Sequence, residues 1–351
     1  MGSRDRDCRQ RSGRGVSAGT FSELNGGNPP RVGDISWRAS DLGAVGDAHL
    51  GRRISAPEER PRPRLTEPDF TRALMSIIRT HRLVAFFVLA YGLSWAYWIP
   101  LAVGGLRISP GSRTTHFPGL FGPAVAAFVV TFVADGKPGV ARLARRLVLV
   151  SRPVSRFWLY ALSPVIFLLL ALVVAMIAQM PVPPANDFAL YSGLPPAALP
   201  VVVLLVLISG FGEETGWRGF ALVPLQQRFG PVVGTLVLAV LWAAWHTPTF
   251  FIVETYRQMT LAMIVGGFGL GICAGALVLS RIAQRTNGSI LAAALWHGAY
   301  NMTSGTAASR GMIAALTTTA VMVWAVVILI GAVRRPSDYL VVRTADDRAA
   351  C

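Results

Sequence analysis

The chain has 351 residues, of which 53% are hydrophobic and only 15% are charged. This composition is too apolar for a soluble protein of this length and indicates a polytopic membrane protein. The net charge of +15 does not indicate nucleic-acid binding, because most arginines lie in the first 80 residues or beside the apolar runs, where membrane topology places them. The three cysteines, Cys8, Cys273 and Cys351, show no zinc or redox spacing and predict no disulfide framework.

Residues 1–74 differ in composition from the rest of the chain. They are rich in Arg, Gly, Ser, Pro and Asp and have no sustained apolar period, which predicts a disordered basic extension. No apolar run follows the basic start, so a secretory signal is not expected. Two interpretations remain open, a translated extension or a translation start at Met75.

Between residues 75 and 335, apolar runs of the length that crosses a bilayer alternate with short polar connections. They predict an all-α fold, a polytopic transmembrane helical bundle of about eight spans, followed by a cytoplasmic tail at 336–351. The predicted spans lie at about 82–103, 117–134, 157–179, 198–223, 231–253, 261–281, 288–304 and 311–333.

Positive charge is concentrated in alternate connections. The connection between the second and third spans holds Lys137, Arg142, Arg145, Arg146, Arg152 and Arg156, and the next connection holds no Lys or Arg. The positive-inside rule then places both termini and the basic connections in the cytoplasm. We expect an integral protein of a bacterial plasma membrane.

The fourth predicted span contains two adjacent carboxylates, Glu213 and Glu214, with Arg218 shortly after them. Ionisable groups inside a membrane segment are costly and are usually kept for a function. Glu214 and Arg218 are four residues apart, the spacing of an intrahelical ion pair. We therefore expect this pair to neutralise itself and orient the helix, while Glu213 finds another partner.

Two later spans add polar residues. His246 ends the run Leu241–His246 in the fifth span, and His297 and Asn301 share one helix face in the seventh. Taken singly, each has a simpler explanation, since a membrane histidine can bridge helices and a Glu pair at a helix end can be solvated. His116 is expected to be incidental, and the nearby tryptophans are expected to serve packing or the interface: Trp217, Trp242, Trp245 and Trp296.

Together the polar residues form three motifs, Glu213-Glu214-x-x-x-Arg218, Trp242-x-x-x-His246 and His297-x-x-x-Asn301, within about 198–304. They resemble the motifs of the CPBP, or Abi, family of intramembrane proteases, which includes the type II CAAX prenyl endopeptidases. One departure is that the second motif of the family more often begins with Phe where this chain has Trp242.

The resemblance implies a glutamate-dependent intramembrane endopeptidase. It implies that Glu213 and His246 activate water and that His297 and Asn301 stabilise the oxyanion. The chemistry of these side chains agrees with those roles, because a carboxylate with a histidine can act as general base and imidazole and amide N–H groups can bind an oxyanion. The expected partners are the lipid bilayer and a membrane-associated protein or peptide, lipidated ones included.

No metal or other cofactor is expected. The only close pair of candidate ligands is His297 with Asn301, and an amide is a poor zinc ligand. Zinc held by the glutamate, the histidines and the asparagine is the alternative. Two other functional classes stay open, a non-proteolytic immunity or scaffolding protein of the same family and a proton-coupled transporter.

Overall fold

The structure of the protein is a computed structural model that describes residues 67–339. Most of the predicted disordered segment 1–74 and most of the predicted tail 336–351 lie outside the described residues. The prediction is wrong for residues 67–74, which belong to helix α1 (Glu67–Thr80). The helix is held to the bundle by Arg79, whose side chain donates a hydrogen bond of 2.9 Å to the backbone oxygen of Val133.

The described part of the chain is helical throughout its membrane region. After α1, the α-helices are α2 (Arg82–Val103), α3 (Gly122–Arg146), α4 (Val154–Ala161), α5 (Ser163–Ile177), α6 (Leu199–Gly216), α7 (Leu222–Phe229), α8 (Pro231–Trp245), α9 (Glu254–Arg257), α10 (Leu270–Arg285), α11 (Ile290–Ser304) and α12 (Gly311–Arg334). Two π-helical segments, Trp217–Ala221 and Met263–Gly269, join α6 to α7 and precede α10. The 3-10 turns are Phe117–Phe121, Ala185–Ala189, Thr247–Phe251 and Pro336–Tyr339.

The predicted all-α bundle is confirmed, and the predicted number of spans is approximate. Among residues 67–339, six helical stretches are long and apolar enough to cross a membrane, and a seventh is obtained if α4 and α5, bent by 57°, are counted as one. The first predicted span coincides with α2. The predicted span at 288–304 is helix α11, whose 15 residues fall short of the usual ~20 and are mostly buried by neighbouring helices.

Four connections meet at one end of the bundle, and we call them the cap: residues 104–116, 178–198, 252–262 and 305–310. Backbone hydrogen bonds tie them together. The N–H of Ile108 donates to Ile252 O (2.7 Å), the N–H of Glu254 donates to Ile108 O (2.9 Å), and the N–H of Ala307 donates to Leu190 O (2.9 Å). The cap therefore fixes the ends of several spans relative to one another.

The opposite end carries most of the positive charge, and we call it the basic end. Arg146 ties its connections together, because its guanidinium donates to the backbone oxygens of Gly288 (2.7 Å), Gly219 (2.7 Å) and Arg218 (3.1 Å). The basic residues of this end include Arg72, Arg79, Arg82, Lys137, Arg142, Arg145, Arg146, Arg152, Arg156, Arg228, Arg281, Arg285, Arg334 and Arg335. Those of the cap are Arg107, Arg113, Arg257 and Arg310.

Helices α6 and α11 approach closely at the centre of the bundle. A Cβ atom added to Gly210 would lie 2.6 Å from the backbone oxygen of Ala294, and one added to Gly298 would lie 2.8 Å from Cδ2 of Leu207. Small residues at such crossings let membrane helices pack backbone to backbone. This contact brings the carboxylates of α6 beside His297 of α11.

The charge asymmetry predicts how the bundle lies in the membrane. Val148, at the basic end, and Asn186, in the cap, are both exposed. Each is replaced by cysteine in a variant that lacks Cys8, Cys273 and Cys351. We expect an impermeant thiol reagent to label Asn186→Cys in intact cells and Val148→Cys only after lysis, since basic connections stay in the cytoplasm. Labelling of the Val148 position from outside would reverse the orientation.

Candidate active site

Two carboxylates are buried at the point where α6 passes into a π-helix. Glu213 and Glu214 are 3% and 0% exposed, and the π-helical turn Trp217–Ala221 follows three residues later. A π turn is rare and often occurs at functional sites. It places Arg218, which is also buried, back against the carboxylates.

Glu214 is the centre of the polar cluster. Its Oε1 accepts a hydrogen bond of 2.9 Å from Nη1 of Arg218, so the predicted ion pair is confirmed. The same oxygen lies 2.8 Å from Nδ1 of His297, a contact that the sequence did not predict. Glu214 therefore joins the end of α6 to α11 through one oxygen atom.

Glu213 turns away from this pair, as the sequence analysis expected, and binds a tryptophan. Its Oε2 accepts a hydrogen bond of 2.8 Å from the indole Nε1 of Trp242 on α8. No hydrogen bond joins Glu213 to His246 among the described residues. Trp242 connects the two instead, because its backbone oxygen lies 2.8 Å from Nδ1 of His246.

These contacts set the protonation of both histidines. A carbonyl oxygen can only accept, so Nδ1 of His246 carries the hydrogen and Nε2 of the neutral ring keeps a lone pair. Nδ1 of His297 donates to the Glu214 carboxylate, so its Nε2 can donate only when the ring is an imidazolium. The two rings are thereby suited to different tasks, one to accept a proton and one to donate a hydrogen bond.

Trp242, which was expected to serve packing or the interface, contacts most of the polar cluster. Its ring lies 4.5 Å from the guanidinium carbon of Arg218 and 5.4 Å from the His297 ring, centroid to centroid. With its bonds to Glu213 and His246 it touches every other charged or titratable member of the cluster except Glu214. The four-residue spacing to His246 was the available signal, since it puts both side chains on one helix face.

Asn301 lies one helical turn from His297 on α11, toward the cap, and is half-buried. Its side chain makes no hydrogen bond with another residue in 67–339. The amide is thus free to bind a group placed beside the histidine, and its role remains a prediction.

Three residues of the cap stand close to the site, although nothing in the sequence marked them. Burial, and next the charge of His246, lower the pKa of His116 to about 4. Burial raises the pKa of Tyr256 to about 12, with the charge of Glu213 as the next cause. Burial, then Tyr256 and then Glu213 raise the pKa of Tyr191. His116, which was predicted to be incidental, is half-buried within the cap, and its Nδ1 has no hydrogen-bond partner among the described residues.

The polar side chains of the site include types that can bind a metal ion. Within residues 67–339, no three His, Cys, Asp or Glu side chains are grouped so that they could hold one ion. The oxygen of Glu214 that faces His297 already accepts two N–H groups. Likewise, Oε2 of Glu213 accepts the indole N–H of Trp242.

The fold and the cluster define a helical membrane protein with a buried glutamate–histidine site. Residues 195–303 match a family described as type II CAAX prenyl endopeptidase Rce1-like. A CAAX prenyl protease 2 of Methanococcus maripaludis is 26% identical to this chain over 147 residues, which are 40% of this chain. The aligned part is 54% of that protein, so the chain spans about half the length of this relative. These matches confirm the resemblance to the CPBP, or CAAX-protease, family predicted from the motifs, and the matched segment contains all three of them.

The role of the hydrogen bond from Trp242 to Glu213 can be tested without leaving a cavity at position 242. Trp242→Phe keeps an aromatic ring beside Arg218 and His297 but removes the indole N–H. Since a hydrogen bond to a charged group contributes about 1.5–3 kcal/mol, we expect kcat of peptide cleavage to fall about tenfold to a hundredfold at nearly constant KM.

The matched control is Trp296→Phe. The indole of Trp296 is equally buried and donates to Ser163 Oγ at 3.0 Å, away from the carboxylates. This variant should lower thermal stability in detergent with little change in kcat. Equal effects of both substitutions on kcat would show that Trp242 only packs.

Proposed function

We propose that this protein is a CAAX-type intramembrane endopeptidase that hydrolyses a peptide bond of a membrane-associated protein or peptide. The observation that supports this best is the buried cluster in which Glu213, Trp242 and His246 face Glu214, Arg218 and His297 inside the bundle. The similarity to a CAAX prenyl protease supports lipidated C-terminal peptides as the first substrates to test.

In this proposal, water is activated by Glu213 and His246. Trp242 occupies one oxygen of Glu213, so the other oxygen is left to take a proton from water. The Nε2 lone pair of His246 is the second proton acceptor, because Nδ1 of that ring is bound to a carbonyl oxygen. Water adds to the peptide carbonyl, and the proton that it loses is returned to the leaving amine when the C–N bond breaks.

The negative charge that develops on the carbonyl oxygen is stabilised by His297 and Asn301. His297 as an imidazolium offers Nε2–H, with its positive charge balanced by Glu214. The amide of Asn301, one turn away, is the second donor. Two preorganised donors in a site with little water stabilise an oxyanion strongly. Glu214 and Arg218 position His297 and need no contact with the substrate.

The proposed role of Glu213 predicts a specific loss of turnover. The full chain, reconstituted in liposomes, is given a fluorogenic farnesylated peptide ending in Cys-aliphatic-aliphatic-X. Because general acid–base groups contribute about 10²–10⁴ in rate, we expect Glu213→Gln and His246→Ala each to lower kcat by about a hundredfold or more.

Asp135→Asn is the control for loss of a carboxylate, since Asp135 forms a partly exposed ion pair with Arg82 at the basic end. It should cleave like the wild type. Cleavage that does not depend on Glu213 would overturn the proposed mechanism. Absence of cleavage of both this peptide and unprenylated membrane-anchored peptides would favour the non-proteolytic role.

A second prediction concerns metal. If the site works through Glu213 and His246 without an ion, exhaustive treatment with a strong chelator leaves kcat unchanged. Elemental analysis of the purified protein should then find less than stoichiometric zinc. Activity that is lost on chelation and restored by zinc alone would show that these residues bind zinc. Catalytic zinc sites have His and carboxylate ligands and one open coordination position.

A further inference from the structure

The walls of the site differ in how firmly they are packed. On the side of α2 and the π turn, Trp98, Trp217 and Trp245 are fully buried and in ring contact. On the side of α11, the backbone-to-backbone crossing with α6 closes the wall. A substrate peptide cannot pass between these helices without disrupting the buried core.

Beside His246 lie three half-buried aromatic rings. Phe268 packs against the ring of His246 at 5.4 Å between centroids, nearly perpendicular to it. Phe250 and Tyr256 contact Phe268 at 5.0 and 5.4 Å, and each other at 5.3 Å. We call Phe250, Tyr256 and Phe268 the aromatic gate, because these partly exposed rings pack on one another and on the ring of His246.

The segment that carries Phe268 is held loosely. It is the π-helix Met263–Gly269, which contains three glycines and no buried residue. A Cβ atom added to Gly266 or Gly267 would meet nothing within 4 Å. The following helix α10 buries eight residues and anchors the other half of the span. Segments with few buried contacts open at low free-energy cost, and π-helices occur often at functional sites.

We propose that the substrate reaches the carboxylates laterally from the bilayer, between the end of α8 and the π-helix Met263–Gly269, by displacing Phe268 from His246. This inference rests on the proposed function. The occupant of the gap is an apolar, membrane-anchored segment of the substrate, because the exposed side chains that flank Phe268 are themselves apolar: Leu261, Met263 and Val265.

The gate lies beside the proposed proton acceptor. Phe268 contacts His246 directly, and Trp242 links His246 to Glu213. Displacement of Phe268 therefore uncovers the His246 ring. Tyr256, the second member of the gate that contacts Phe268, lies in the cap.

Locking the gate tests the proposal. Tyr256→Cys and Phe268→Cys are combined in a background without the native cysteines and joined by oxidation or a short bifunctional thiol reagent. Because a closed gate keeps the substrate out, we expect turnover of the farnesylated peptide to fall about tenfold or more and to return on reduction. Complete cross-linking with unchanged turnover would overturn the gate.

The control pair is Arg82→Cys with Asp135→Cys, whose native side chains are 2.9 Å apart at the basic end. Cross-linking there joins α2 to α3 far from the gate and should leave turnover unchanged. Each reduced double variant serves as its own reference, so loss of activity through misfolding is separated from loss through locking.

A binding measurement separates failure of this inference from failure of the proposed function. In the Glu213→Gln variant, p-benzoylphenylalanine replaces either Val265 on the π-helix or Val327 on α12, which are 62% and 59% exposed. The same farnesylated peptide should be captured several-fold more at position 265, whether or not the wild type cleaves it. Equal capture at both positions would overturn lateral access even if Glu213-dependent cleavage is found.

Discussion

The site depends on one buried carboxylate, Glu214, whose Oε1 is shared by Arg218 and His297. All three side chains are nearly inaccessible, so none can exchange its partner for water. Removing one partner of a buried ion pair leaves an uncompensated charge, which typically costs about 3–5 kcal/mol. The close crossing of α6 and α11 at Gly210 and Gly298 is what brings the three together, and their attraction in turn holds the two helices at the centre of the bundle.

Trp242 makes the second connection, between α6 and α8. Its indole N–H orients Glu213, and its backbone oxygen determines which nitrogen of His246 carries the hydrogen. The two adjacent glutamates thereby face different partners, although they are neighbours in the chain. Glu214 binds a cation and a histidine, and Glu213 has one oxygen without a hydrogen bond. In the proposed mechanism, this single helix end supplies both a structural and a reactive carboxylate.

The bundle around this cluster is asymmetric. Arg146 fastens three backbone segments at the basic end, and backbone hydrogen bonds fasten the cap. The weakly attached part is the π-helix Met263–Gly269 beside His246. A buried site gains from low water content, because electrostatic interactions are stronger there, but it needs a way in for the substrate. Because the loose packing is confined to this π-helix, a substrate could enter there while the helices that hold the carboxylates stay tightly packed.

The sequence alone determined the all-α membrane fold, the positions of most helices and the Glu214–Arg218 pair, because apolar run lengths and i,i+4 spacing are local properties. It also pointed to Glu213, His246, His297 and Asn301, since polar residues in apolar helices stand out in a single chain. Local pattern could not show that α11 is too short to count as a full span, or that residues 67–74 continue a helix. Only the tertiary structure decided that His297 binds Glu214 and that Trp242 binds Glu213, because these contacts join residues 83 and 29 positions apart through the packing of three helices.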